Sequence, residues 1–168
     1  MIDKSARPKI KLEFTITDKV VELISLILLI LLWVIALINF SSLPSAIPSH
    51  FNFAGKIDSY GSRGTIFLLP AIGTAIYAVF TLLTFFPHIY NYPVKITPEN
   101  AAAQYRLAVS LLRYLKAGIQ TLFLVILFMV IRTSFGEPNN LNLLVFAVLI
   151  LFIFAPLIFF IVKMSRLK

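Results

Sequence analysis

Apolar residues fall along this chain in long unbroken runs, without the short periodic stripes of a soluble domain. The first run, Leu23 to Phe40, carries no ionisable residue over eighteen positions. That is close to the roughly 20 helical residues needed to cross a hydrocarbon core. It is too long for the h-region of a cleavable signal peptide, and no small-x-small site closes it before Ser41-Ser42-Leu43-Pro44. A second run, Thr65 to Phe86, is interrupted by Pro70 and Gly73, which predicts a kink near one end. A third, Ala117 to Ile131, follows a helical segment and is expected to begin near Tyr114. A fourth, Leu141 to Val162, contains Pro156.

The pattern predicts an all-α, four-helix transmembrane bundle in one membrane domain over residues 1–168. Its expected order is an interfacial arm (1–19), a first span (20–40), an outer loop (41–64) and a second span (65–86). A cytoplasmic segment with an amphipathic helix (87–113), a third span (114–132), a short outer loop (133–140), a fourth span (141–162) and a tail (163–168) follow. Thr97, Pro98 and Glu99 make a helix start. If the helix runs unbroken from Pro98 to Ile131 it has 34 residues. At 1.5 Å per residue that is about 51 Å, more than a bilayer core, so it should extend into the cytoplasm or bend along the surface.

The arm alternates polar and apolar residues from Lys9 to Ile16, which fits either a strand or an interfacial segment laying Ile10, Leu12, Phe14 and Ile16 on the membrane. Thr17 or Asp18 is expected to cap the first helix, and Glu22 to lie solvated at headgroup level. Arg106 and Arg113, seven apart with Ser110 between them, share a polar stripe expected to anchor on lipid headgroups, with a docking face for a protein as the competing reading.

The 24-residue outer loop is long, but Ile47, Phe51, Phe53, Ile57 and Tyr60 give it too much apolar surface for disorder. Gly55 stands where a turn requires positive φ, which predicts a short β-hairpin with Ser62 or Ser59 capping the following helix. Such a turn would place His50 and Asn52 on one side and return Asp58 toward His50.

Composition agrees with a membrane protein: 60% of residues are hydrophobic and 13% charged. The formal net charge of +8 is explained by topology. Lys4, Arg7, Lys9, Lys11, Lys19, Lys95, Arg106, Arg113, Lys116, Lys163, Arg166 and Lys168 fall on one side of the four expected spans, against Lys56, Arg63 and Arg132 on the other. The positive-inside rule then places both termini in the cytoplasm of a cell whose inner membrane the chain spans, facing anionic lipids. Nucleic-acid binding is not expected, because the basic residues lack interleaved aromatics on a soluble module. No cysteine is present, which excludes disulfides and thiolate chemistry.

A His50–Asp58 pair is what a general base and its orienting carboxylate would need, but no hydrolase signature surrounds Ser49, Ser59 or Ser62. His50, Asp58 and Glu137 lack paired metal-ligand spacing, so neither metal nor cofactor is expected. Thr74, Thr81, Thr84, Gln120 and Thr121 are thin material for an ion pathway. A membrane-embedded hydrolase or metal enzyme using His50 and Asp58, and a scaffold subunit of a transporter, remain the alternatives to a non-enzymatic protein.

Leu43 to Ser62, read L-P-x-x-I-P-x-H-F-N-x-x-G-x-x-D-x-Y-G-S, resembles the hallmark of a bacterial membrane domain of unknown function shared with the N-terminal half of SdpI-type toxin-immunity proteins. Asn91 to Leu107, N-Y-P-V-K-I-T-P-E-N-A-A-A-Q-Y-R-L, is similar to the segment after the second span in that family. Arg63 stands where the family usually has Lys, and SdpI proteins continue with further spans. The resemblance implies protection from a secreted peptide toxin and membrane retention of an autorepressor. Pro48, His50, Asn52, Gly55 and Asp58 would then face the peptide or another envelope ligand, and Asn91, Pro93, Thr97, Asn100, Arg106 and Arg113 the repressor or lipid.

Overall fold

The computed structural model describes residues 7–52, 55–137 and 143–167. Helix α1 (Ile16–Phe40) leads to an antiparallel hairpin of β1 (Ala46–Phe51) and β2 (Ile57–Ser62). A 3₁₀ segment (Arg63–Phe67) then runs into α2 (Leu68–Leu83). A strap, residues 84–100 with one 3₁₀ turn at Pro87–Ile89, connects to α3 (Ala101–Ser134), and α4 (Leu143–Arg166) follows. Among the described residues, three helices are long and apolar enough to cross a membrane: Ile16–Phe40, Arg63–Leu83 and Ala101–Ser134. Their outward faces carry large apolar side chains such as Leu23, Ile27, Ile30, Ile72, Val79 and Phe128. In water such a surface would aggregate; in lipid it is the matching solvent. The chain is therefore mostly helical, with the marks of a multi-pass membrane protein and one small sheet.

Helix α3 is the element on which the rest is assembled, since α1, α2, α4, β1 and the strap all pack on it. It is continuous over 34 residues, about 51 Å at 1.5 Å per residue, but it runs from Ala101 to Ser134 and not from Pro98 to Ile131, with Asn100 and not Thr97 at its N-cap. At one end Leu127, Val130 and Ile131 pack with Leu32 and Ala36 of α1 and with Leu43, Ile47 and Ile66 around the hairpin. Midway toward the other end, Ala108 and Leu111 meet Phe160 and Met164 of α4. At that end Ala101 and Tyr105 enclose Ile96, with Ile10, Leu12 and Tyr92 against them. These are called below the hairpin end and the arm end.

Several local expectations change. Thr15, not Thr17 or Asp18, caps α1: its Oγ1 accepts from the Asp18 amide at 3.1 Å, while Asp18 Oδ2 accepts from the Thr15 amide at 2.9 Å. This reciprocal box uses Asp18 as its inner partner and starts the helix at Ile16. Among the described residues the arm forms no strand, because Ile10 and Leu12 find a protein cluster to cover them. Phe14 and Ile16 stay exposed. Pro70 lies in the first turn of α2, where its missing N–H costs little, and a 3₁₀ lead-in takes the place of a kinked α-helix. Ser62 stands at the start of that lead-in but makes no side-chain cap; its carbonyl accepts instead from Thr65 Oγ1 at 2.9 Å. Phe53, positions 138–140 of the outer loop expected at 133–140, and the first two positions of the span expected at 141–162 lie outside the described residues.

Candidate functional site

The hairpin is built from one buried and one exposed face. Ile47 and Pro48 are buried on β1, whereas His50, Asp58, Ser59 and Tyr60 are exposed. Gly55 has φ 75°, the left-handed conformation that only glycine adopts at little cost, and so makes the turn. Asn52 shapes that turn: its Oδ1 accepts from the Lys56 amide at 3.0 Å and its carbonyl from the Gly55 amide at 2.8 Å. The register shifts on both sides of His50, leaving Ser49 as an extra residue, so that His50 is paired with Ser59. This irregularity swings the imidazole toward Asp58, and His50 Nδ1 lies 2.6 Å from Asp58 Oδ1.

The pair is open to water, the two side chains being 67% and 42% exposed. An ion pair in that setting contributes at most about 1 kcal/mol, so it adds little to the fold. Ser49 and Ser59, the hydroxyls nearest in sequence, hydrogen-bond each other at 3.1 Å. Among the described residues no three His, Asp or Glu side chains gather as a metal site would require. Of the five loop residues singled out in the sequence, His50 and Asp58 are brought together at the surface. Asn52 and Gly55 form the turn, and Pro48 is buried on the inner face, away from the exposed pair.

A second constellation was not anticipated as a unit. Asp18 and Glu22 lie one turn apart on α1, and Arg113 and Lys116 lie three apart on α3, so each pair shares a face. The helices bring those faces together. Arg113 Nη1 lies 2.7 Å from Asp18 Oδ1 and its Nε 3.2 Å from Glu22 Oε1. Lys116 Nζ lies 2.5 Å from Glu22 Oε2, donates to Thr81 Oγ1 of α2 at 2.8 Å, and sits 4.3 Å from the centre of the Tyr77 ring. Phe14 of the arm covers the Arg113 guanidinium at 4.5 Å.

Lys116 is 0% exposed, Arg113 7% and Asp18 8%. Two carboxylates and two cations therefore sum to zero net charge in a nearly closed cluster, a condition under which buried charge is tolerated. Glu22, expected to be solvated, is instead the bridge between both cations. Arg113, expected on the lipid-facing stripe with Arg106, is turned inward, while Arg106 is exposed. The physical reason is that α1 supplies two carboxylates at the level of Arg113 and none at Arg106.

The arm and strap form a third polar assembly. Arg7 is buried and donates to the carbonyls of His88 at 3.1 Å and Tyr90 at 2.6 Å, with its guanidinium 5.6 Å from the Tyr92 ring centre. The Tyr90 hydroxyl donates to the Leu83 carbonyl, and the Tyr92 hydroxyl to the Pro87 carbonyl at 2.8 Å. Burial pushes the Tyr90 phenol up to about 12 and Tyr92 further in the same direction. Asn100, buried, accepts from the Thr97 amide at 2.9 Å and donates to the Lys95 carbonyl at 3.0 Å. The two residues thus shape the entry to α3, and of the strap positions singled out only Asn91 and Pro93 are exposed. Gln104, fully buried, donates to the carbonyls of Met164 and Leu167 and so closes the end of α4.

In the sequence Asp18 reads as a helix cap, Thr81 as thin material for an ion pathway, and Arg7 and Lys116 as topology charges, and none of these, nor Gln104, is assigned its observed partners. The available signal was charge spacing: two acids at i, i+4 entering one apolar run and two bases at i, i+3 entering another.

A family described as "Domain of unknown function (DUF1648)" matches residues 27–74, which take in most of α1, the whole hairpin and the first part of α2. An uncharacterized protein of Archaeoglobus fulgidus is 28% identical over 168 residues, covering 92% of this chain and 91% of that protein. No solved structure matches. Across the hairpin and the helices that carry it, this chain is thus similar to a membrane-type domain of unknown function.

Proposed function

We propose that the chain is a non-enzymatic, four-span protein of the cytoplasmic membrane that senses or resists a peptide or envelope ligand through its hairpin, in the manner of the SdpI-type proteins. In this reading α4 is the fourth span, both termini and the strap face the cytoplasm, and the first turns of α3 extend beyond the bilayer core. The lopsided distribution of basic residues supports that orientation. The observation that carries the functional reading is the exposed His50–Asp58 pair on a hairpin whose other face is packed into the bundle. A polar pair that contributes little to stability, on a rigid support, has the properties of a recognition element. On the opposite side Asn91, Pro93 and Arg106 are the exposed residues open to an autorepressor, Thr97, Asn100 and Arg113 being engaged within the fold.

The test is survival of cells expressing the chain when challenged with the secreted peptide of an SdpI-type system. Wild type should protect. His50→Ala and Asp58→Ala should each lose about tenfold in protection, the scale of one charge-assisted contact, at unchanged levels in the membrane fraction. Wild-type protection by both variants would remove the hairpin from the mechanism.

A further inference from the structure

At the arm end two hydrogen-bond donors are shut in without an acceptor. The Nε of Arg7 and the hydroxyl of Tyr105 are buried and make no hydrogen bond among the described residues, the first side chain belonging to a residue 8% exposed and the second to one 0% exposed. We propose that Arg7 and Tyr105 together bind one small monovalent anion, of the size and weak hydration of chloride, and that this anion pins the arm to α3. The inference stands apart from the hairpin and its ligand.

The two donors share one neighbourhood. The Arg7 guanidinium lies 5.6 Å from the Tyr92 ring centre, and the Tyr92 and Tyr105 ring centres lie 5.6 Å apart. The positive charge of Arg7 acts on the phenols of both tyrosines. Ile10 and Leu12, which follow Arg7 along the arm, pack against Ile96, Ala101 and Tyr105, so the arm crosses the same cluster that encloses the Tyr105 ring.

The site lacks a counter-charge. Asp18 and Glu22 are paired with Arg113 and Lys116, Asp58 with His50, and Glu137 with Arg132; among the described residues no carboxylate pairs with Arg7. Its Nη1 donates to the carbonyls of His88 and Tyr90, whose partial charges offset only part of a full positive charge. A buried guanidinium left in that condition is costly, and an anion removes the cost. The donors also set the kind of anion. A phosphate or sulfate must exchange a full shell of water for hydrogen bonds, and two donors between aromatic rings cannot replace it. A halide gives up its water more readily and is satisfied by one N–H, one O–H and the positive edges of the rings.

The test uses the full chain in detergent and sodium gluconate, into which chloride is titrated while the width of the chloride magnetic-resonance line is followed. Wild type should broaden the line saturably. Tyr105→Phe, which removes one donor and a single oxygen, should weaken binding about tenfold, and Arg7→Gln should abolish it. Should Arg7→Gln fail to fold, Tyr105→Phe alone decides. In hydrogen exchange the backbone amides of residues 9–12 should slow when chloride is added to wild type. Crystals grown in bromide should show its anomalous signal between Arg7 Nε and Tyr105 Oη. The proposal is overturned if wild type leaves the chloride line unbroadened, or if Tyr105→Phe broadens it as strongly as wild type. It is overturned equally if phosphate competes as well as bromide does, or if the density between the two donors carries no anomalous signal and is a water.

Discussion

Lys116 shows how much a single side chain can depend on its neighbours. With no exposure, its ammonium is acceptable only because Glu22, Thr81 and the face of Tyr77 replace its hydration. Lys116→Met leaves Glu22 with Arg113 alone and gives the cluster an uncompensated negative charge. Breaking a buried pair in this way costs about 3–5 kcal/mol, while replacing both members by uncharged groups is close to neutral. Lys116→Met should therefore unfold at markedly lower temperature in detergent, and Glu22→Gln with Lys116→Met should recover most of the loss. Circular dichroism melts of the two single variants and the double variant close the cycle; equal melting of Lys116→Met and wild type would refute the coupling. The same residues show why the cluster escaped the sequence reading. Periodicity places Asp18 beside Glu22 and Arg113 beside Lys116, but which face of α1 meets which face of α3 is set by packing at the hairpin end, through Leu32, Ala36 and Leu127.

Among the elements, those written in local chemistry were the most legible. The hairpin followed from Gly55 between two apolar strands, and the nearness of Asp58 to His50 followed from the turn. The arm was not legible, because alternation in Lys9 to Ile16 suits a strand, a membrane surface or a protein groove equally, and the decision lies with Ile96, Ala101 and Tyr105 far along the chain. The strap has its own signature in solution. Unfolded tyrosine ionises near 10, and buried Tyr90 near 12, so the folded phenol is raised. The stability this represents is complete below the lower value and is lost as pH rises through the upper one. The arm end should loosen across that interval, with phenolate absorbance appearing cooperatively with the loss of near-ultraviolet dichroism. Tyr90→Phe should shift the loosening to a different pH; an unchanged profile would place its cause elsewhere.

At the scale of the molecule, α3 contributes residues to two clusters near its opposite ends: the hairpin cluster at Leu127 to Ile131 and the arm-and-strap cluster at Ala101 to Tyr105. The proposed topology puts these on opposite sides of the membrane. A cysteine-free chain makes this simple to test, since one cysteine introduced at Ser59 and another, separately, at Lys95 can be probed with an impermeant maleimide on intact cells. Labelling is expected at position 59 and not at 95, and the reverse would overturn the orientation drawn from charge.

The charge cluster also bears on the order of synthesis. Its carboxylates and cations are separated by 91 and 94 residues along the chain for the Glu22–Arg113 and Glu22–Lys116 contacts. Helix α1 thus emerges from the ribosome with Asp18 and Glu22 unpaired, and both α2 and the strap must be made before their partners exist. Asp18 is held meanwhile by its local box with Thr15, but Glu22 has no such local partner among its described hydrogen bonds. An unpaired acid favours the headgroup layer over hydrocarbon, so in the proposed topology Glu22 would find its buried partners only once α3 has been made.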